Sequence, residues 1–235
     1  MKINLYSIPY AGGSSVVYNK WSENLQSSVN IKPVELSGRG KRFSEPLYED
    51  IHQAVEDIFN SIKEEITEIP YALFGHSMGA LIAFELAQRI RKAGLPSPVH
   101  IFISGRSAPH VNKTGEKMYS RMDDVKFRQE VLNLGGTPKE FFSHPELLEL
   151  FLPVLKNDFR LVENYSYNYN YQPLNVDMTV LLGKDDDLTE TEGESWSEYT
   201  TESCEITYLE GGHFFINEQR LNITQIINNS LKITQ

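Results

Sequence analysis

Residues 71–80 read Tyr-Ala-Leu-Phe-Gly-His-Ser-Met-Gly-Ala. Four mostly apolar residues with strand character run into the pentapeptide Gly75-His76-Ser77-Met78-Gly79, and a helical pattern begins at Met78. A G-x-S-x-G pentapeptide is common by itself, but between a strand and a helix it describes one structural object. The serine sits on a sharp, strained turn, and small residues on either side let strand and helix approach. Ser77 is therefore the candidate nucleophile.

Working outward, short β-rich runs alternate with longer helical stretches, the signature of an α/β sheet. Strands are predicted at Ile3–Ile8, Asn30–Glu35, Tyr71–Phe74, His100–Ser104, Met178–Leu182 and Glu205–Leu209. Their nearly continuous apolar character suits a mostly parallel sheet covered on both faces. Between the second and third strands the pattern predicts a helix from Ile51 to Ile66, with Val55, Ile58, Phe59 and Ile62 on one face. Another helix is expected from Met78 to Ala93, capped by Gly94. Residues 118–165 break the alternation: they are rich in helical pattern, with Leu-Leu-Glu-Leu-Phe-Leu-Pro-Val-Leu at the centre, and no convincing strand follows before Met178. That stretch is expected to be a helical lid inserted between two core strands of a single domain spanning residues 1–235.

A serine hydroxyl is a poor nucleophile at its free pKa and needs a base held by a carboxylate, in the chain order Ser, Asp/Glu, His for this kind of turn. Of the histidines, His52 precedes the nucleophile and His76 lies in the turn, pointing away from Ser77. His100 opens a strand, and His110 and His144 flank or fall within the insertion. His213 remains, in Leu-Glu-Gly-Gly-His-Phe-Phe-Ile (residues 209–216), where two glycines free a loop to present an imidazole above the sheet edge. The carboxylate should leave the end of the preceding strand, where Asp185, Asp186 and Asp187 stand side by side; spacing leaves the choice among them open. Charge on the attacked carbonyl must meet prepositioned N–H donors. The Met78 amide, at a helix N-terminus, is one candidate. The Ala11 amide, in the Gly-rich loop Pro9-Tyr-Ala-Gly-Gly-Ser14, is the other. That loop is not a phosphate-binding P-loop, because no Lys follows at the required place.

Composition narrows the partners. The chain has 235 residues, 22 Lys+Arg against 32 Asp+Glu and a formal net charge of -10. Such an acidic balance disfavours nucleic acid and anionic membranes as partners. A single cysteine, Cys204, excludes an intrachain disulfide and fits a reducing compartment. The N-terminal Met-Lys-Ile-Asn-Leu-Tyr-Ser-Ile is broken at once by Pro9, Gly12 and Gly13, too soon for a signal peptide, and no run approaches about 18 apolar residues. A soluble cytoplasmic protein is expected. Cys204, Trp21 and Trp196 are read as packing residues, and the alternating Tyr165, Tyr167, Tyr169 and Tyr171 as an extended segment with one face on the core.

Seven segments, in order, carry a resemblance: IPYAGGS (8–14), ELSGRGKR (35–42), ALFGHSMGALIAFELA (72–87), FISGRSAP (102–109), NLGGTPKEF (133–141), LPVLKNDFRLVENY (152–165) and LEGGHFFI (209–216). Together they resemble the type II thioesterases associated with nonribosomal peptide and polyketide synthetases, in the α/β-hydrolase superfamily. One departure is Ser37, where that family usually has Pro. The resemblance implies hydrolysis of aberrant or stalled acyl thioesters from the phosphopantetheine arm of carrier domains, by a monomer without metal or cofactor. It also implies Asp186 as the triad acid, three residues after the strand-ending Gly183. Arg39, Lys41, Arg42 and Arg106 form a candidate basic cluster for the phosphopantetheine phosphate or a carrier helix. A carboxylesterase or lipase with the same triad, and a silent carrier-binding scaffold, are the competing readings.

Overall fold

A computed structural model describes residues 2–111, 117–134, 136, 145–188 and 190–232. Six strands, β1 (Ile3–Ile8), β2 (Val29–Pro33), β3 (Tyr71–His76), β4 (His100–Ser104), β5 (Met178–Gly183) and β6 (Cys204–Leu209), form one sheet in the order β2-β1-β3-β4-β5-β6. Every neighbouring pair is parallel. All carboxyl ends therefore lie along one edge, and the order reverses between β1 and β3. In open parallel sheets that reversal opens a crevice at the strand ends. Here it brings the loop after β1 beside the turn after β3, with Ile8 paired to Gly75.

The sheet is buried on both faces, and the pleat divides its side chains between two cores. Leu73, Ile101, Ile103, Met178 and Val180 point to the side covered by α1 (Ile51–Ile62) and α3 (Met78–Lys92). Ala72, Phe74, Phe102 and Leu181 point to the side that also holds Trp21 and the last helix. The α1 helix buries Ile51, Ala54, Val55, Ile58, Phe59 and Ile62, a stripe of helical period. Asp50 caps it by accepting the Gln53 amide at 2.8 Å, a contact of a kind that contributes about 1 kcal/mol. The expected helix to Ile66 instead stops at Ile62, and α2 (Glu65–Glu68) follows as a separate turn. At the end of α3, Gly94 takes φ 68°, where the left-handed conformation closes the helix.

Between β4 and β5 lie a short 3-10 turn, α4 (Asp124–Leu134) and α5 (Pro145–Glu163). Pro153 falls inside α5, where it has no N–H to donate to the Glu149 carbonyl. Phe127, Val131, Leu148, Leu152 and Leu155 make a third apolar cluster, which rests on Ala11 of the β1 loop. The segment 133–141 that carries part of the resemblance falls largely outside the described residues, as does His144. After β5 come α6 (Glu190–Glu194) and β6, and the chain ends in α7 (Phe215–Glu218) and α8 (Arg220–Ser230).

The packing residues follow expectation in part. Trp21 and Trp196 are buried, whereas Cys204 is only half-buried. Tyr165, Tyr167 and Tyr171 are half-buried against the core while Tyr169 is 74% exposed, and the segment pairs with no strand. Among the described residues no helix is long and apolar enough to cross a membrane.

Candidate active site

Ser77 has φ 55° and ψ -114°, the one non-glycine residue with positive φ among those described. Backbone in that region is strained for an L-residue and persists only where its surroundings enforce it. The enforcement is visible in the motif's two glycines. A Cβ on Gly75 would fall 2.0 Å from the Gly79 carbonyl oxygen, and one on Gly79 would fall 2.1 Å from the Ile8 oxygen. The Ser77 amide donates to the Ser104 carbonyl at 2.8 Å, tying the turn to the end of β4.

Three elements converge on this turn. His213 Nε2 lies 3.0 Å from Ser77 Oγ, and His213 Nδ1 lies 2.9 Å from Asp186 Oδ2. The Asp186 side chain is nearly buried, while that of His213 is about a quarter exposed (28%). Asp185 and Asp187 are exposed. Asp186 Oδ1 accepts the Asp187 amide at 2.8 Å, leaving Oδ2 aimed at the imidazole. Of the two glycines expected to free the histidine loop, Gly211 does so by its backbone angle, and the close approach of the loop to the sheet is permitted by a third glycine, Gly183 at the end of β5. A Cβ on Gly183 would sit 2.6 Å from the carbonyls of both Gly211 and Gly212, and Gly211 takes φ 109°.

His76 packs against the His213 ring at 5.4 Å and takes no part in the wall of the cavity that Ser77 and His213 line. It is fully buried, with Nδ1 2.8 Å from Ser104 Oγ, and burial holds its pKa well below the ordinary value, so it stays neutral. His52 is largely exposed on α1, His110 meets the Tyr199 hydroxyl, and His100 meets Thr179 Oγ1.

Around the β1 loop the amides are distributed. That of Gly12 donates to Asp158 Oδ2 at 2.7 Å and that of Gly13 to the Tyr10 carbonyl at 2.8 Å. Those of Ala80 and Leu81 reach the Ser77 carbonyl. Among the described residues, the amides of Ala11 and Met78 donate to no protein group. Ala11 and Ser77 both line a cavity of about 950 Å³, whose wall includes Asp186, His213, Phe151, Leu155, Phe159 and Tyr167. The Tyr167 position gives the aromatic run a place on the cavity wall as well as on the core.

The basic cluster is corrected by its surroundings. Arg39 is buried and forms a two-pronged ion pair with Asp158 of α5, at 2.6 and 2.8 Å. Arg42 is held by Asp57 at 2.6 Å and by Glu45. Arg39 neutralises a buried carboxylate and Arg42 is shared between the partly exposed Asp57 and the exposed Glu45, so neither is a free docking cation. The Arg106 carbonyl accepts the Trp196 indole N–H, and Arg106 lines the cavity. Lys41 is exposed. Ser37 uses its amide to donate to the Tyr48 hydroxyl at 3.1 Å and its own hydroxyl to donate to Pro46; a proline there could make neither bond.

The Thioesterase domain family model matches residues 4–232. Linear gramicidin dehydrogenase LgrE of Brevibacillus parabrevis is 36% identical over 98% of this chain and 88% of its own length. The gramicidin S biosynthesis protein GrsT of Aneurinibacillus migulanus is 34% identical over 99% and 90%. The crystal structure of ClbQ from the colibactin NRPS/PKS pathway superposes with a TM-score of 0.92 at 32% identity, covering 98% of this chain and 97% of that one. A strained serine elbow on an open α/β sheet, matched from end to end by these proteins, establishes that the chain belongs to the thioesterase family.

Proposed function

We propose that the protein is a type II editing thioesterase that removes aberrant or stalled acyl groups from the phosphopantetheine arm of carrier domains in nonribosomal peptide or polyketide biosynthesis. The observation that carries this reading is the Ser77–His213–Asp186 chain of hydrogen bonds at the wall of the 950 Å³ cavity. The relatives GrsT and ClbQ, by their names, serve gramicidin S and colibactin biosynthesis.

The Ser77 oxygen attacks the thioester carbonyl as its proton passes to His213 Nε2, and Asp186 stabilises the imidazolium through Nδ1. The carbonyl oxygen, now negative, accepts from the Met78 and Ala11 amides, the first of them at the positive end of α3. The C–S bond breaks, the pantetheine thiolate takes the proton from His213, and an acyl ester remains on Ser77. Water then attacks that ester, giving one proton to His213, and the acid leaves as Ser77 regains its hydrogen. Every step uses side chains and amides of one chain and the arm that the substrate carries; we take the protein to act as a cytoplasmic monomer without a further cofactor. Helices α4 and α5 act as the lid of the acyl cavity within a single domain.

The dehydrogenase in the name of LgrE is not reflected in the loop after β1, where a dinucleotide would be seated. The turn after β1 reads Pro-Tyr-Ala-Gly-Gly-Ser, without the G-x-G-x-x-G that seats a dinucleotide pyrophosphate. With Arg39 and Arg42 occupied, carrier docking relies on Lys41 and on exposed apolar residues at the cavity mouth, Val16 and Phe43. Hydrolysis of an acyl-carrier against a small nitrophenyl ester tests the reading: a strong preference for the carrier thioester supports it, and a preference for the free ester makes the protein a general esterase. Failure of a fluorophosphonate to label Ser77 would point to a silent scaffold.

A further inference from the structure

Asp158 is fully buried in the middle of α5, far in sequence from every residue of the triad, yet one of its oxygens touches the β1 loop. Its Oδ2 accepts both the Gly12 amide at 2.7 Å and Arg39 Nη1 at 2.6 Å, and its Oδ1 accepts Arg39 Nη2 at 2.8 Å. Arg39 Nη1 also donates to the Gly13 carbonyl at 3.1 Å. The pair thus grips two consecutive residues of the loop, one by its N–H and one by its carbonyl. Farther along, Glu35 accepts the Ser15 amide at 3.1 Å and the Ser15 hydroxyl at 2.8 Å. Between these carboxylates the backbone from Gly12 to Ser15 has little freedom, and Ala11 is the residue immediately before the grip.

Packing tells the same story. Gly12 takes φ 74°, and a Cβ there would meet Leu155 Cδ1 at 2.6 Å and the Phe151 ring at 3.0 Å. Helix α5 lies directly on the loop, and a side chain at Gly12 would have to displace Leu155 and the Phe151 ring from a backbone angle that itself favours glycine. Buried ion pairs are weak evidence for stability, because desolvation consumes most of the Coulomb gain, and their best-attested use is to fix one arrangement among several. What this pair fixes directly is the Ala11–Gly12 peptide unit and the Gly13 carbonyl, and the Gly13 amide in turn holds the Tyr10 carbonyl at 2.8 Å, which orients the Tyr10–Ala11 unit that carries the Ala11 amide.

We propose that Asp158, clamped by Arg39, is a positioning residue for the oxyanion site: by fixing Gly12 and Gly13 it aims the Ala11 amide at the developing charge and makes that aim depend on α5 being seated. The inference rests on the thioesterase reading and on Ala11 as a donor. A helix of the insertion then contributes to transition-state stabilisation as well as to the cavity wall, and displacing it would loosen the donor loop.

The test separates positioning from mere structure. Replacing the pair by Arg39→Met with Asp158→Leu removes both charges together, avoiding a stranded ion, and also removes the acceptor for Gly12. Arg39→Met with Asp158→Asn keeps one acceptor oxygen for the Gly12 amide, likewise strands no charge, and is the milder variant. Each is compared with wild type for kcat and KM on an acyl-pantetheine thioester. Binding is measured for a trifluoromethyl ketone analogue, which becomes tetrahedral on Ser77, and for an unreactive ether analogue. Misplacing one donor is expected to lower kcat about 100-fold in the Met/Leu variant and less in Arg39→Met with Asp158→Asn, with ketone affinity falling in parallel. KM and ether affinity should stay within about threefold. Should the Met/Leu variant fail to fold, the same split in Arg39→Met with Asp158→Asn decides the matter. Wild-type kcat and ketone affinity in a folded variant would overturn the proposal, as would equal losses for ketone and ether. A wild-type protein that does not hydrolyse the thioester would instead refute the underlying function.

Discussion

Asp186 divides its two oxygens between jobs: one accepts the amide of Asp187, and the other lies 2.9 Å from His213 Nδ1. The backbone contact sets the carboxylate's rotation, so the imidazole is held with Nε2 toward Ser77. Asp186→Asn should preserve this shape while removing the charge that stabilises the imidazolium and admitting the wrong tautomer. We expect kcat to fall roughly ten-thousandfold with KM little changed, in line with serine triads elsewhere. Steady-state kinetics on a pantetheine thioester checks it; the same substitution at Asp185 or Asp187 should leave kcat within about threefold.

The elbow glycines make a stability prediction. In Gly79→Ala the new methyl would sit 2.1 Å from the Ile8 carbonyl, a backbone atom that cannot move without disturbing β1. A loss of about 2 kcal/mol or more is expected, of the order seen for overpacked cores. Gly94→Ala meets no atom within 4 Å and faces only its φ of 68°, so about 1 kcal/mol is expected there. Thermal melts of the two variants should rank them in that order.

Acid should weaken the fold through its buried histidines. Burial pushes the His100 pKa down to about 4, and His76 is also held far below its ordinary value. The unfolded chain binds these protons near pH 6.5 while the folded one refuses them, so stability falls as pH drops from 6.5 toward 4. His100 alone would contribute a loss of about 3 kcal/mol across that window. Denaturant midpoints for wild type and His100→Gln, measured between pH 7 and 4, should converge as the pH falls.

Glu85 is 2% exposed on α3 and accepts the hydroxyls of Tyr165 at 2.5 Å and Tyr171 at 2.8 Å. Tyr165→Phe or Tyr171→Phe leaves a buried carboxylate short of a donor, and each should cost about 1–3 kcal/mol. The cost should shrink when Glu85→Gln is added, which a double-mutant cycle by chemical denaturation would reveal.

Much of this was legible in the sequence because it depends on local pattern. A strand ending at the pentapeptide and a helix starting at Met78 placed Ser77, and the glycines before His213 marked its loop. Helix and strand ends slipped by a few residues where the pattern is gradual: β3 continues through His76, and the helix expected to reach Ile66 breaks after Ile62. Arg39 was misread for a different reason. Its carboxylate partner lies 119 residues away on α5, a separation over which nearby charges are no guide, so a buried structural ion pair looked like part of a docking patch. Asp158 gave a signal only through its place in LPVLKNDFRLVENY, and nothing in that stretch points to Gly12. Nor could the sequence foresee that Ser37 would spend both its amide and its hydroxyl in the loop.

The central claim is that Ser77 carries the acyl group from a carrier's pantetheine arm to water. Intact-protein mass spectrometry of an acetyl-loaded carrier domain, followed with time after adding wild type or Ser77→Ala, tests it most directly. The account predicts that wild type returns the carrier to its free-thiol mass with transient acetylation of the enzyme at Ser77, while Ser77→Ala leaves the carrier loaded. Unloading by Ser77→Ala at the wild-type rate, or acetyl found on another residue, would contradict it.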